Sequence, residues 1–254
     1  MAFSNRYTFG FATVICVVCS LSVASVSIGL RDLQDDNKRR DLQSNILLAL
    51  AVSDKESPPE GEAIDALWKE RIELRIITLD GELAAEGAAD LDGDGDADAD
   101  DLKLARVQAK GTDKAPAFLG VYVRKDGATD GAYALPANGM GLWGPISGYL
   151  AIDTKATSVT GVTFFAPKET PGLGAEITVS GFKDQWIGKR IVDDSGAMKP
   201  IRVVKGAAAN LCPDAIDWCV DGVSGATITS RGVDAMVAQS LSWYDPYLTK
   251  LRGN

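Results

Sequence analysis

The stretch Phe118-Leu119-Gly120-Val121-Tyr122-Val123 opens the part of the chain that decides the fold. It is a short apolar run rich in β-branched and aromatic side chains, which favours a β-strand. Two further runs, residues 149–153 and 159–165, follow among turns rich in Gly and Asp. Because the connections are short, we predict antiparallel pairing rather than βαβ units.

Helical patterns flank these strands on both sides. Residues 32–52 and 63–70 precede them, and residues 236–251 follow them. A further strand is predicted at residues 74–79, where an Asp-Gly turn closes it. The sequence therefore predicts an α+β domain with mainly antiparallel strands and flanking helices.

An uncharged segment precedes this domain. Residues 7–30 carry no charge, and Arg6 and Arg31 bracket them. At ~1.5 Å per residue such a helix reaches roughly 36 Å, enough to cross a hydrocarbon core of ~30 Å. We predict a transmembrane anchor at residues 1–31 and a domain at residues 32–254. The alternative is a secretory signal peptide, whose apolar region is normally shorter, ~7–15 residues.

Composition excludes several classes of function. The chain of 254 residues has a formal charge of −9 and contains no histidine. An acidic surface repels phosphate backbones, so we expect no nucleic-acid partner. The absence of histidine removes every His-based triad and most zinc sites. We therefore expect the chemistry to come from a cofactor.

The four cysteines form two pairs. Cys16 and Cys19 lie in the apolar segment and are typical of small membrane-facing residues. Cys212 and Cys219 flank a six-residue loop. A disulfide between them and a site for a metal held by two thiolates both remain open.

The segment Asp221-Gly222-Val223-Ser224-Gly225-Ala226-Thr227-Ile228-Thr229-Ser230 carries the clearest chemical signal. Its small residues let the backbone approach a bulky ligand, and its hydroxyls are candidate phosphate partners. A helix is expected to follow, with Thr229 or Ser230 as its N-cap. A phosphate-binding turn is one interpretation, because a helix N-terminus attracts anions. A plain helix cap is the other.

Within this segment, Asp-x-x-Ser-Gly-Ala-Thr resembles the flavinylation motif of FMN-binding domains. The resemblance implies that Thr227 carries FMN through an ester with its phosphate. It also implies that Ser224, Gly225 and Ala226 shape the turn. Asp221 would assist recognition by a flavin transferase that uses FAD and Mg²⁺.

Three other blocks resemble the same domains, at residues 141–144, 169–174 and 185–189. The cofactor-binding residues that the resemblance implies in them are Trp143, Glu169, Thr170, Gly172, Leu173, Gly174 and Lys189. One departure is clear, because Pro167-Lys168 stands where the family usually has His-Gly before the second block. That departure bears on the flavin environment and leaves the attachment residue untouched.

Over nearly its whole length the chain is similar to the C-subunit family of the Na⁺-translocating NADH:quinone reductases. The resemblance implies an electron-transfer component of a sodium pump, with other subunits and the membrane as partners. It places the protein in a bacterial inner membrane as a single-pass component. Two alternatives are the related FMN-binding G subunit of an Rnf-type electron transport complex and a membrane-anchored calcium-binding module without a redox role.

Orientation is predicted differently by charge and by resemblance. Arg31, Lys38, Arg39 and Arg40 follow the apolar segment, whereas Arg6 precedes it. The positive-inside rule alone places the large domain in the cytoplasm. The resemblance implies a periplasmic FMN domain, and we follow it. We expect no NADH site in this chain, because no predicted strand is followed by a Gly-x-Gly-x-x-Gly turn.

An acidic insert at about residues 88–102 has no counterpart in the family pattern. Its carboxylates fit the spacing of a calcium loop with Gly95 at the turn position. The candidate ligands are Asp90, Asp92, Asp94, Asp96, Asp98 and Asp101. The alternative is a solvated acidic loop.

Overall fold

The computed structural model describes residues 5–53, 58–85, 87–109 and 115–253. The chain divides into two compact units, residues 1–42 and 43–254. Each unit is described by itself below.

The first unit is helical. Helix α1 covers Asn5–Gly29, and α2 (Arg31–Ala49) starts in this unit and ends in the second one. Within α1, residues Arg6–Gly29 form a helix of 24 residues that is long and apolar enough to cross a membrane. Its apolar side chains are exposed, as expected for a surface that lipid would cover. The predicted apolar N-terminal helix is therefore confirmed.

The second unit is built on a five-stranded sheet in the order β1-β2-β3-β4-β5, and every pairing is antiparallel. The strands are β1 (Ile72–Thr78), β2 (Phe118–Asp126), β3 (Thr129–Met140), β4 (Pro145–Ile152) and β5 (Val159–Phe165). Neighbours in sequence are thus neighbours in the sheet. The connections from β2 to β5 are short, whereas residues 79–117, which include the helix Ala99–Ala109, separate β1 from β2. The α+β fold with antiparallel strands is confirmed.

Strand β3 was not predicted, because Pro136 interrupts its pattern and proline usually disrupts a ladder. Pro136 lies in the half of β3 that pairs with β4, beyond the residues that pair with β2. Strand β3 ends in a turn with the Gly-x-Gly-x-x-Gly spacing, Gly139 to Gly144. That turn leads into an antiparallel strand instead of a helix, so it lacks the βαβ setting of a dinucleotide site.

Short elements and helices complete the domain. The helices are α3 (Glu62–Arg71), α4 (Ala99–Ala109), α5 (Ser180–Lys183), α6 (Ala208–Leu211) and α7 (Thr227–Gly253). A separate parallel pair joins β6 (Arg202–Val204) to β7 (Cys219–Asp221). This parallel pair was also not predicted, since each of its strands has only three residues.

Helix α7 packs across the sheet and supplies much of the core. Its buried face includes Met236, Leu241 and Tyr244. The Tyr244 hydroxyl donates a hydrogen bond of 3.0 Å to the backbone oxygen of Gly120. A side chain at Gly139 would overlap Met236, so β3 and α7 approach closely where β3 ends. This packing places the amino end of α7 beside the β3–β4 turn.

Cys212 and Cys219 form a disulfide. It closes the loop before β7. Inside that loop, the cations of Lys199 and Arg190 lie 3.6 Å and 4.8 Å from the centroid of the Trp218 ring. Of the two alternatives that the sequence left open, the structure shows the disulfide. The disulfide therefore fixes the first residue of β7, two positions before Asp221.

Candidate cofactor site

The turn at residues 221–227 connects β7 to α7. A side chain at Gly222 would overlap the backbone oxygen of Val204, and Gly225 has a φ of +76°, so both positions favour glycine. The Ser230 hydroxyl accepts a hydrogen bond of 3.0 Å from the backbone N–H of Val223. Helix α7 begins at Thr227. The prediction of Thr229 or Ser230 as N-cap is therefore wrong, because both lie in the first turn and bond to groups outside the helix.

Glu169 joins the first turn of α7 to the β3–β4 turn. Its side chain is buried, and one carboxylate oxygen accepts a hydrogen bond of 2.8 Å from the Trp143 backbone N–H. The other oxygen accepts a bond of 2.7 Å from the Thr229 hydroxyl. A side chain at Gly141 or Gly174 would overlap the carboxylate. The 141–144 and 169–174 blocks and the first turn of α7 therefore meet at one buried carboxylate.

Residues 170–174 form a tight turn beside Glu169. The backbone oxygen of Thr170 accepts bonds from Leu173 and Ala175, and Gly172 has a φ of +76°. The turn leaves Thr170 and Gly172 exposed and buries Gly174. A side chain at Gly225 would lie 2.9 Å from Leu173, so the Leu173 side chain faces the 221–227 turn.

Large apolar side chains are exposed around these turns. Leu173 is 44% exposed, Trp143 65% and Ile228 55%. Leu142 and Met140, at the end of β3, are exposed as well. An exposed apolar group of this kind, next to polar turns, is typical of a ligand or partner surface. Ile228, Leu142 and Met140 were not among the predicted cofactor-binding residues. Leu142 lies inside the 141–144 block, whereas Met140 and Ile228 each adjoin a motif.

Hydrogen bonds of Asp221 and of the 185–189 block stabilise the segments next to the 221–227 turn. The Asp221 carboxylate accepts a bond of 2.6 Å from the Ala208 backbone N–H, at the start of α6. The Asp221 N–H donates to the Gln185 side chain at 2.8 Å. Trp186 is fully buried, and the Lys189 ammonium donates to the backbone oxygen of Ile216. The structure does not bring Lys189 to the residues gathered around Glu169.

A cavity of about 500 Å³ borders the 221–227 turn, and Ser224, Gly225 and Thr227 are among its lining residues. Its charged lining residues are Arg202, Lys205, Arg231 and Asp234. None of the three cationic residues was predicted, because Arg202 and Lys205 reach this place only through the pairing of β6 with β7. We call this feature the basic cavity.

The acidic insert folds into a loop that leads into α4. Carboxylate oxygens of Asp90, Asp92 and Asp94 lie within 4.8 Å of one another. A hydrogen bond from the Asp94 N–H lowers the pKa of Asp92, but desolvation and the neighbouring carboxylates raise it above its usual value overall. Asp101 accepts hydrogen bonds from the N–H groups of Asp98, Leu91 and Asp92, and these bonds lower its pKa.

The arrangement defines a class of protein. An FMN-binding domain model matches residues 141–242, the region that contains Glu169, the 221–227 turn and most of α7. The prediction of an FMN-binding domain is confirmed.

Comparison with known proteins shows the family. The C subunit of the Na⁺-translocating NADH-quinone reductase from Yersinia pestis is 36% identical over 94% of this chain and 90% of its own length. The corresponding protein from Vibrio parahaemolyticus is 34% identical, covering 98% and 96%. A solved structure of the C subunit from Parabacteroides distasonis has a TM-score of 0.68 at 32% identity and covers 87% of this chain and 97% of its own. The chain belongs to this family, the C subunits of the Na⁺-translocating NADH-quinone reductases.

The two hydrogen bonds that Glu169 accepts, from the Trp143 N–H and the Thr229 hydroxyl, yield a prediction for the stability of the domain. Glu169→Ala leaves the half-buried Trp143 N–H and the buried Thr229 hydroxyl without their acceptor, so it should lower the free energy of unfolding by about 2–4 kcal/mol. Glu169→Gln keeps an acceptor for Trp143 and should cost less than half as much. Urea unfolding of the full chain in detergent measures both values. The exposed Glu70→Ala is the matched control and should stay within about 0.5 kcal/mol. Equal losses of unfolding free energy in the three variants would contradict a stabilising role for the two hydrogen bonds of Glu169.

The calcium prediction for the acidic insert stays open to a direct test. Ca²⁺ at about ten times its dissociation constant should stabilise the domain by roughly 1.4 kcal/mol, and Mg²⁺ should do less. Differential scanning calorimetry with Ca²⁺, Mg²⁺ or chelator measures the midpoint. Asp90→Asn with Asp94→Asn should abolish the rise, whereas Asp80→Asn with Asp214→Asn, the same change in charge elsewhere, should retain it. An unchanged thermal midpoint would show that the insert is a solvated acidic loop that does not bind Ca²⁺.

Proposed function

We propose that this protein is the electron-carrying subunit of a membrane-bound, redox-driven sodium pump, with FMN joined through its phosphate to Thr227. The observation that carries the proposal is the position of Thr227. It is the half-exposed first residue of a 27-residue helix, and the buried Glu169 holds the first turn of that helix to residues 141–144 through its bonds with Thr229 and Trp143.

The surroundings of Thr227 suit a phosphate. The first N–H groups of a helix have no intrahelical acceptor, and the helix dipole favours negative charge there. Ser224 and Gly225 are exposed, so the backbone leaves open space beside the hydroxyl. A phosphodiester on Thr227 would therefore lie in a favourable field without displacing core residues.

The apolar side chains near the turn suit a flavin ring. Leu173 faces Gly225, and the backbone of Trp143 is held by the carboxylate that also holds Thr229. These two residues would cover one part of the ring and leave another part accessible to a partner. When bound, FMN supplies the one- and two-electron chemistry, and the protein contributes position and electrostatic environment.

The pump role rests on the family. The relatives named above are subunits of a Na⁺-translocating NADH-quinone reductase. We infer that this chain assembles with the other subunits and carries electrons that originate from NADH towards quinone. The only Gly-x-Gly-x-x-Gly spacing in the chain lies in a β-hairpin, which supports oxidation of NADH elsewhere in such a complex.

We further propose that α1 anchors the chain in the membrane and that the FMN domain lies on the periplasmic side. The Cys212–Cys219 disulfide supports this placement, because structural disulfides persist in oxidising compartments. The charges that flank α1 favour the opposite orientation. We weigh the disulfide and the family more heavily, since partner subunits also constrain orientation.

Attachment is tested by paired substitutions in the full chain, produced together with a flavin transferase. Thr227→Val preserves shape but removes the hydroxyl, so it should abolish the covalent flavin that glows in a denaturing gel under ultraviolet light. Thr229→Val should retain that fluorescence, although it should destabilise the protein through the lost bond to Glu169. Fluorescence of the Thr227→Val band at the wild-type level would refute the attachment residue.

Topology is tested by two fusions at the C-terminus. An alkaline phosphatase fusion should be active, because this enzyme matures only outside the cytoplasm, and a green fluorescent protein fusion should be dark. The opposite pair of results would show that the flanking charges set the orientation.

A further inference from the structure

The Cys212–Cys219 disulfide and the Asp221 carboxylate hold the same short helix, α6, at its two ends. Helix α6 begins at Ala208, whose backbone N–H donates the bond of 2.6 Å to Asp221. It ends at Leu211, immediately before Cys212. Cys219 is the first residue of β7, and Asp221 is its last. One covalent bond and one hydrogen bond therefore connect α6 to the two ends of β7.

Few other contacts fix the position of α6. Ala208 is buried, whereas residues 209–211 are exposed. The N–H groups of residues 210–212 donate to oxygens of residues 207 and 208, within the same segment. In the part of the chain that the structure describes, the bond to Asp221 is the one hydrogen bond between α6 and another element. A helix of four residues is not stable by itself, so its position depends on the disulfide and on Asp221.

Strand β7 is also held by contacts that do not involve the disulfide. It pairs with β6 over its whole length, and the Asp221 N–H donates to the Gln185 side chain. Trp218, which precedes the strand, is buried, and its indole N–H donates to the backbone oxygen of Val192 at 3.1 Å. Reduction of the disulfide should therefore release α6 and leave β7 in place.

The release of α6 would change the environment of the Asp221 side chain. With the disulfide intact, the Ala208 N–H is a fixed donor and gives the half-buried carboxylate one orientation. Without a fixed donor, the carboxylate can turn about its side-chain bonds. A partner that recognises it must then order it again, which costs conformational entropy and weakens recognition.

We propose that the Cys212–Cys219 disulfide is a redox-sensitive device that makes covalent attachment of the flavin depend on oxidation of the chain. It acts through Asp221, so the two cysteines are positioning residues and take no part in the attachment itself. The inference rests on the proposed function and on the predicted recognition of Asp221 by the flavin transferase. A chain that has not been oxidised would therefore be a poor substrate for that enzyme.

The redox step is a thiol–disulfide exchange. When the disulfide forms, the thiols of Cys212 and Cys219 give two electrons and two protons to a disulfide-bearing oxidant, whose own disulfide becomes two thiols. When it is broken, a dithiol reductant returns two electrons and two protons and is itself converted to a disulfide. The flavin takes no part in either exchange.

Hydrogen exchange compares the oxidised and the reduced chain directly. The full chain is purified in detergent without covalent flavin, and it carries Cys16→Ser and Cys19→Ser so that Cys212 and Cys219 are its only cysteines. Dithiothreitol should accelerate exchange in residues 208–212 by about tenfold or more and leave α7 unchanged. Unchanged exchange in residues 208–212, or an equal increase in α7, would overturn the selective release of α6.

Attachment kinetics test the functional part of the proposal. The same chain is treated with purified flavin transferase, FAD and Mg²⁺, and covalent flavin is measured by fluorescence in a denaturing gel. Reduction should raise the KM for the chain about tenfold and change kcat by less than about twofold, because recognition weakens and the chemistry at Thr227 does not. Reoxidation should restore the KM. The Cys212→Ser, Cys219→Ser chain should show the raised KM with and without dithiothreitol, which controls for effects of the reductant on the enzyme.

Two variants test whether the disulfide acts through Asp221. Asp221→Ala removes the acceptor, so its oxidised chain should attach flavin no faster than the reduced chain that retains Asp221. Asp214→Ala removes an exposed carboxylate from the loop that the disulfide closes, and it should leave the KM unchanged. Faster attachment to the Asp221→Ala chain than to the reduced chain would overturn the route through Asp221.

The outcomes separate this inference from the proposed function. Equal attachment kinetics in the oxidised and reduced chains would refute the redox-sensitive device alone. Absence of covalent flavin from the oxidised chain would refute the attachment to Thr227 on which the device rests.

Discussion

The structure of the candidate site depends on one buried carboxylate. Glu169 accepts from a backbone N–H in the β3–β4 turn and from a hydroxyl in the first turn of α7. A buried charge is costly unless hydrogen bonds compensate it, so this arrangement is stable only when both donors are in place. Each turn therefore holds the other in position, and Thr227 is presented two residues away from one of the two bonds.

The glycines of the motifs have a physical reason in this arrangement. Gly141 and Gly174 lie against the Glu169 carboxylate, and Gly222 lies against the Val204 backbone. A side chain at any of these positions would push apart segments that must be close. The glycines in these sequence blocks are therefore needed for close packing of the segments, in addition to any contact that the blocks make with a ligand. The exposed residues between them, Leu173 and Trp143, remain for the ligand or for a partner.

Local patterns predicted much of the fold. The apolar N-terminal helix and the β2, β4 and β5 regions follow from charge and from short β-runs, and short connections predicted their antiparallel pairing. Strand β3 was missed because Pro136 breaks its pattern. Proline is tolerated in this central strand because Pro136 lies beyond the residues of β3 that pair with β2. The start of α7 was misplaced because capping rules took the hydroxyls of Thr229 and Ser230 for caps, whereas tertiary contacts use them.

The site was only partly predictable for a similar reason. The motifs indicated Thr227 and Glu169, but the bond between Glu169 and Thr229 spans 60 residues of sequence. Lys205 gives no signal of its own, since it reaches the cavity through a parallel pair of three-residue strands. Contacts between distant segments decide such placements, and residue spacing along one segment does not encode them.

A crystal structure of the flavin-loaded protein tests the central claim most directly. We expect density that joins the flavin phosphate to Thr227, the ring against Leu173 and Trp143, and Glu169 still bonded to the Trp143 N–H and the Thr229 hydroxyl. Density for the flavin on another residue, or a Glu169 carboxylate turned away from both donors, would contradict it.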